Sequence, residues 1–74
     1  MNEEKKTTLG QRVYELRTNK GWTQVRLSEA SGISIPEISE IEKGNRKPQA
    51  STLQKLASAL DCDLGELIHY SLSK

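Results

Sequence analysis

The sequence predicts an all-α domain of five short helices, and three features carry that expectation. Apolar residues recur three and four positions apart along most of the chain, which places them on one side of a helix. Ser, Thr or Asp followed three residues later by Glu or Gln marks the starts of these stripes, a pairing by which two side chains close a helix's first turn. Glycines punctuate the ends, and no run shows the alternation of a strand.

Residues 1–7 are polar and unpatterned, so they are expected to form a flexible arm, with Lys5 and Lys6 either solvated or touching a polyanion. The domain is expected over 8–74. Thr8 and Gln11 form a capping box, and Leu9, Val13 and Leu16 give the first helix its inward stripe up to Gly21. Arg17 lies on the flank of that stripe and needs a partner if its head is partly buried. Trp22 falls in the turn that follows and reads as a core plug.

Thr23 caps a second helix over Gln24–Ser31, with Leu27 facing inward and the small Ser28, Ala30 and Ser31 allowing another helix close by. Gly32 stops it. The turn through Ile33 and Ser34 is too tight for antiparallel packing and suits two helices crossing steeply.

The third helix is the best delimited. Ser34 and Glu37 have capping-box spacing, Pro36 sits in the first turn where its missing N–H costs little, and Gly44 closes it. At roughly 100° per residue Ile38 and Ile41 lie about 60° apart and mark the buried stripe, with Pro36, Ser39, Glu40 and Lys43 opposite. Glu42 lies about 40° from Ile38, beside that stripe, so a fully solvated place suits it poorly.

Asn45 to Gln49 form a polar, basic loop. A fourth helix runs to about Leu60 with Leu53, Leu56, Ala57 and Leu60 inward, capped by Gln49 or Ser51. Asp63 and Glu66 make a capping box for a last helix carrying Leu64, Leu67 and Ile68, with Tyr70 and Leu72 beyond.

The chain has 74 residues and no Phe, so it can build one small core from Leu, Ile, Val, Ala and Trp22, with additional burial in a dimer expected. Cys62 is the single cysteine and reads as a small core residue; His69 is also alone, which gives no metal-ligand spacing. No signal-peptide core or membrane-length apolar run appears. The expectation is a cytoplasmic protein with no cofactor, metal, membrane or small-molecule ligand. Enzymatic function is not expected, because no carboxylate pair in an evident cleft or glycine-rich phosphate loop accompanies these residues. The formal net charge of +1 leaves nucleic-acid binding to depend on where the charges sit.

Taken together, Thr23-Gln24, Leu27, Gly32-Ile33-Ser34, Ile38-Ser39, Ile41-Glu42, Gly44, Pro48, Leu53, Ala57 and Leu60 resemble the helix-turn-helix domain of the phage-repressor (Cro/C1, Xre-type) family over roughly residues 9–68. The resemblance implies a five-helix lambda-repressor-like fold, with the helix-turn-helix at about 23–43. It also implies a transcriptional regulator, repressor or activator, that binds a pseudo-palindromic double-stranded DNA operator as a homodimer. Restriction–modification controller proteins are among the minimal regulators of this kind.

Carried over position by position, the resemblance implies base contacts by Ile35, Pro36, Glu37, Ser39 and Glu40. Gln24 becomes a phosphate contact, and Arg26, Lys43, Asn45, Arg46 and Lys47 surround the same end of the domain. The reading face departs from the family's commoner amides, Ser, Thr and Arg. A carboxylate there suits cytosine N4, Ile35 suits a thymine methyl, and Ser39 suits either base or phosphate. Each also has a plainer reading: Glu37 as the capping partner, Ile35 as an edge core residue and Pro36 as a stiffener. Glu40 has no such structural task. The resemblance further pairs Arg17 with Glu42 in a structural ion pair.

Dimerisation is expected through Leu64, Leu67, Ile68, Tyr70 and Leu72, some of which must also complete the monomer core. An alternative is an antitoxin or protein-interaction module on the same fold, which the acidic third helix mildly favours.

Overall fold

The first three helices begin at a Thr or Ser whose side chain accepts from a first-turn backbone amide. The structure, a computed structural model, describes residues 7–72; the arm expected over 1–7 therefore lies outside it except for Thr7. Five helices follow in order: α1 (Leu9–Asn19), α2 (Gln24–Ser31), α3 (Ile35–Lys43), α4 (Ala50–Leu60) and α5 (Leu64–Leu72), with no strand among the described residues.

At α1 both halves of the capping box form: Thr8 Oγ1 accepts from the Gln11 amide at 3.1 Å, and Gln11 Oε1 accepts from the Thr8 amide at 3.0 Å. Thr23 caps α2 through the Arg26 amide. Gly32 and Gly44 end α2 and α3 in the left-handed conformation expected of them. Asp61 does the same for α4 at φ 57°, although it carries a Cβ.

Two capping expectations need correction. At α3, Ser34 Oγ accepts from the Glu37 amide at 3.2 Å, but the Glu37 carboxylate faces Arg46 instead of returning to Ser34. At α5, Glu66 gives its carboxylate to Arg12 Nε at 2.6 Å, and its amide donates to the Asp63 carbonyl oxygen. Arg12 offers Glu66 a charged donor, and charge-assisted hydrogen bonds are the stronger kind; Arg46 meets Glu37 only as a looser ion pair at 3.8 Å. Gln49 caps α4 by position alone, with no side-chain bond.

The helices close around Val13, Leu27, Ile38, Ile41, Leu56 and Leu67, all fully buried, with Ile33, Leu53, Ala57 and Leu60 completing the core. Leu9, Leu16, Leu64, Trp22 and Cys62 pack against it from partly buried positions, so Trp22 and Cys62 border the core instead of filling it. Burial pushes the Cys62 thiol pKa up, which favours the neutral, less reactive form. α2 contacts both α3 and α4, while α5 contacts α4 and α1.

α1 and α3 approach closely at Gly10. A Cβ on Gly10 would collide with the Ile41 carbonyl oxygen and lie 2.6 Å from that of Glu42, so only glycine lets these two backbones meet. That crossing holds the C-terminal half of α3, while Ile35 and Pro36 at its start stay at the surface.

Candidate nucleic-acid interface

The anchoring of α3 begins with Glu42. Arg17 Nε donates to Glu42 Oε2 at 2.8 Å and Arg17 Nη2 to Oε1 at 3.0 Å, with the two side chains 9% and 7% exposed. Arg17 Nη1 donates to the Trp22 carbonyl oxygen at 2.8 Å, so all three nitrogens of the guanidinium are engaged. Hydrogen bonding to Glu42 holds the Arg17 pKa above its ordinary value despite the opposing cost of burial. The expected Arg17–Glu42 pair is thus present and buried.

Glu42 accepts a third hydrogen bond, from a second partner. Gln24 Nε2 donates to Glu42 Oε1 at 3.0 Å, which ties the first residue of α2 to the last turn of α3. The amides of Gln24 and Val25 begin α2, where backbone donors have no intrahelical acceptor; such a helix start suits an anion.

On α3, Ile35 is 40% exposed, so it is a surface residue and not an edge of the core. Pro36 is exposed, while Glu37, Ser39 and Glu40 are half-buried beside it. Pro36, Ser39 and Glu40 lie on the side of α3 away from the fully buried Ile38 and Ile41, with Ile35 and Glu37 on its two flanks. Glu37 Oε2 lies 3.8 Å from Arg46 Nη1. The Glu40 carbonyl oxygen accepts from the Asn45 amide at 2.9 Å, which turns the chain into the basic loop.

Lys43, Asn45, Arg46 and Lys47 are all exposed, and the loop is pinned by Pro48, which is buried. Within this otherwise polar loop the proline is the one apolar foothold. Arg26 places its guanidinium carbon 5.0 Å from the Trp22 ring centre and approaches Glu29 at 3.8 Å. Lys20 lies against the same indole at 5.1 Å. Lys20 and the exposed Tyr14, whose ring sits 5.1 Å from the Arg17 guanidinium carbon, were not singled out from sequence. Lys20 is the C-cap of α1, but its cap is made by the backbone, and Tyr14 lies off the apolar stripe, so no side-chain pattern marked either.

The C-terminal apolar set divides in two. Leu67 is fully buried in the core, and Leu64 packs against the core from a partly buried position. Ile68 is 38% and Leu72 75% exposed, one turn apart, with half-buried Tyr70 between them in sequence. Among the described residues there is no group of three or more His, Cys, Asp or Glu placed to hold a metal ion, and no helix is long and apolar enough to cross a membrane.

Comparison with known proteins gives a consistent picture. The helix-turn-helix family model matches residues 13–67. The chain is 41% identical over 58 residues to YazB, an uncharacterised helix-turn-helix transcriptional regulator of Bacillus subtilis, covering 78% of this chain and 84% of that one. It is 33% identical over 61 residues to the immunity repressor protein of Bacillus phage phi105, covering 82% of this chain but 42% of the repressor. Among solved structures, the restriction-modification controller protein C.AhdI from Aeromonas hydrophila superposes with a TM-score of 0.78 at 39% identity, covering 82% of this chain and 92% of that one.

Proposed function

This chain belongs to the helix-turn-helix family of transcriptional regulators, in its Cro/C1 (Xre) branch, and from that premise we propose that it binds a pseudo-palindromic operator as a homodimer with α3 in the major groove. The observation that carries this reading is the way both sets of phosphate-binding candidates contact α3. Gln24 touches its last turn through Glu42, and Arg46 touches its first turn through Glu37. A duplex that received the outer side of α3 would therefore meet a helix start on one flank and a basic loop on the other.

In this reading Gln24, Arg26, Lys43, Asn45, Arg46 and Lys47 hold phosphates and fix the register, while Ile35, Pro36, Glu37, Ser39 and Glu40 face base edges. Ile35 suits a thymine methyl, and Glu40 suits the amino group of cytosine. One α3 reads too few base pairs for useful discrimination at ~1–3 kcal/mol per matched contact, which favours two copies on half-sites about one helical turn apart. Ile68, Tyr70 and Leu72 are the residues of the C-terminal set left to join them.

Binding to duplex DNA followed across a salt series tests the reading. A dimer that neutralises ~6–8 phosphates gives a slope of about −5 to −7 in log affinity against log salt. A chain that binds no duplex even at low salt is not acting in this way.

A further inference from the structure

We propose that Glu37 and Arg46 form a specificity latch, in which the carboxylate withholds the arginine from phosphate until a base donor replaces it. The inference rests on the DNA-binding reading above and assigns a joint role to two residues otherwise treated as separate contacts.

Three observations point to it. The Glu37 carboxylate lies on the flank of α3 next to the basic loop and is not used by the helix cap, since only the Ser34 half of that box forms. Its nearest cation is Arg46 Nη1 at 3.8 Å, and the two side chains remain 29% and 56% exposed. Arg46 also stands in the loop that immediately follows α3, beside Lys47 and ahead of the buried Pro48, so its backbone is held near the helix while its head can move.

The chemistry then links two events. On an arbitrary sequence, moving Arg46 to a phosphate strands Glu37 as an unpaired carboxylate against a polyanion, so part of the phosphate attraction is lost. Where a cytosine N4 amino group lies within reach, Glu37 accepts from it and Arg46 is released at little cost. The pair is loose and exposed, so the bias is small: about two- to fivefold per domain. A tight, buried pair would not open for DNA; this one can.

Glu40 supplies the control. It lies on the outer side of α3, and none of the ion pairs among the described residues includes it. Removing its charge relieves repulsion from DNA without freeing an arginine.

The test measures binding of wild type, Glu37→Gln, Arg46→Ala and the double variant to mixed-sequence duplex DNA, with Glu40→Gln alone and on Arg46→Ala for comparison. Melting curves verify that each variant is folded. The latch requires Glu37→Gln to bind about two- to fivefold more tightly than wild type, and that gain to disappear on the Arg46→Ala background. The Glu40→Gln gain should persist on both backgrounds. An equal Glu37→Gln gain with and without Arg46 would reduce the effect to simple repulsion and overturn the latch. Unchanged or weaker binding by Glu37→Gln would overturn it too. If wild type itself bound no duplex, the DNA-binding reading would fail first, which separates the two claims.

Discussion

Arg17 and Glu42 meet edge to edge in the interior of the domain, two nitrogens on two oxygens at 2.8 and 3.0 Å, and so fasten α1 to the last turn of α3. The same carboxylate holds Gln24 at 3.0 Å. One buried acid therefore fixes the position of α3 and the start of α2 together. The pair's stabilising role is conditional: two charges taken out of water offset that cost only while both are present.

Arg17→Met should strand Glu42 and lower stability by about 3–5 kcal/mol, a drop of well over 10 °C in melting temperature for a domain of this size. Because the folded Arg17 pKa is raised, its contribution is complete below the ordinary guanidinium value and is lost only as strongly alkaline pH passes through the folded value. The Arg17 contribution should therefore be flat through neutral pH. An unchanged melting temperature in Arg17→Met would show that the pair has no structural weight.

The two glycines inside helices should respond oppositely to alanine. At Gly10 the new methyl group meets the Ile41 and Glu42 carbonyl oxygens, which belong to backbone, so Gly10→Ala should cost about 1–3 kcal/mol. At Gly65 the only close atoms belong to the Asp63 carboxylate, which can rotate away. Gly65→Ala should then be neutral or gain up to ~1 kcal/mol from helix propensity. Denaturant titration of both variants checks the contrast.

Asp61 ends α4 in the left-handed region at φ 57°, where a Cβ is unfavourable. Its contact with Lys20 Nζ at 3.4 Å is largely exposed and adds little. Asp61→Gly should raise the melting temperature by a few degrees, corresponding to ~0.5–1 kcal/mol. A fall would mean that the Lys20 contact outweighs the backbone strain.

Helix boundaries were legible in the sequence because capping is local: Thr8 with Gln11, Thr23, Ser34, Gly32 and Gly44 all act within a turn of their own helix. The choice of partner was not. Glu37 and Glu66 each had a cap at hand, and each faces an arginine remote in sequence or brought close by the loop. Local spacing cannot weigh such competitors. The division of Leu67 from Ile68 was equally hidden, because adjacent residues at the edge of an apolar stripe are sorted only by how α5 lies on α4 and α1. The candidate reading face was located by resemblance; its exposure followed from the depth at which Ile38 and Ile41 dock.

Leu72→Glu should leave the monomer fold intact, since Leu72 is 75% exposed, and should yield monomers by analytical ultracentrifugation if α5 joins two copies. A variant that still sediments as a dimer would move the interface elsewhere. Leu67→Glu should instead unfold the domain, because Leu67 has no exposure at all.

The central claim is that α3 reads duplex sequence, and binding-site selection from randomised duplex DNA at a fixed salt concentration tests it most directly. The account expects enrichment of a pseudo-palindrome with half-sites about one helical turn apart, and loss of preference at one C·G pair in Glu40→Ala with little change in salt slope. A selected pool no different from the starting one, or a preference untouched by every substitution at Ile35, Glu37, Ser39 and Glu40, would contradict it.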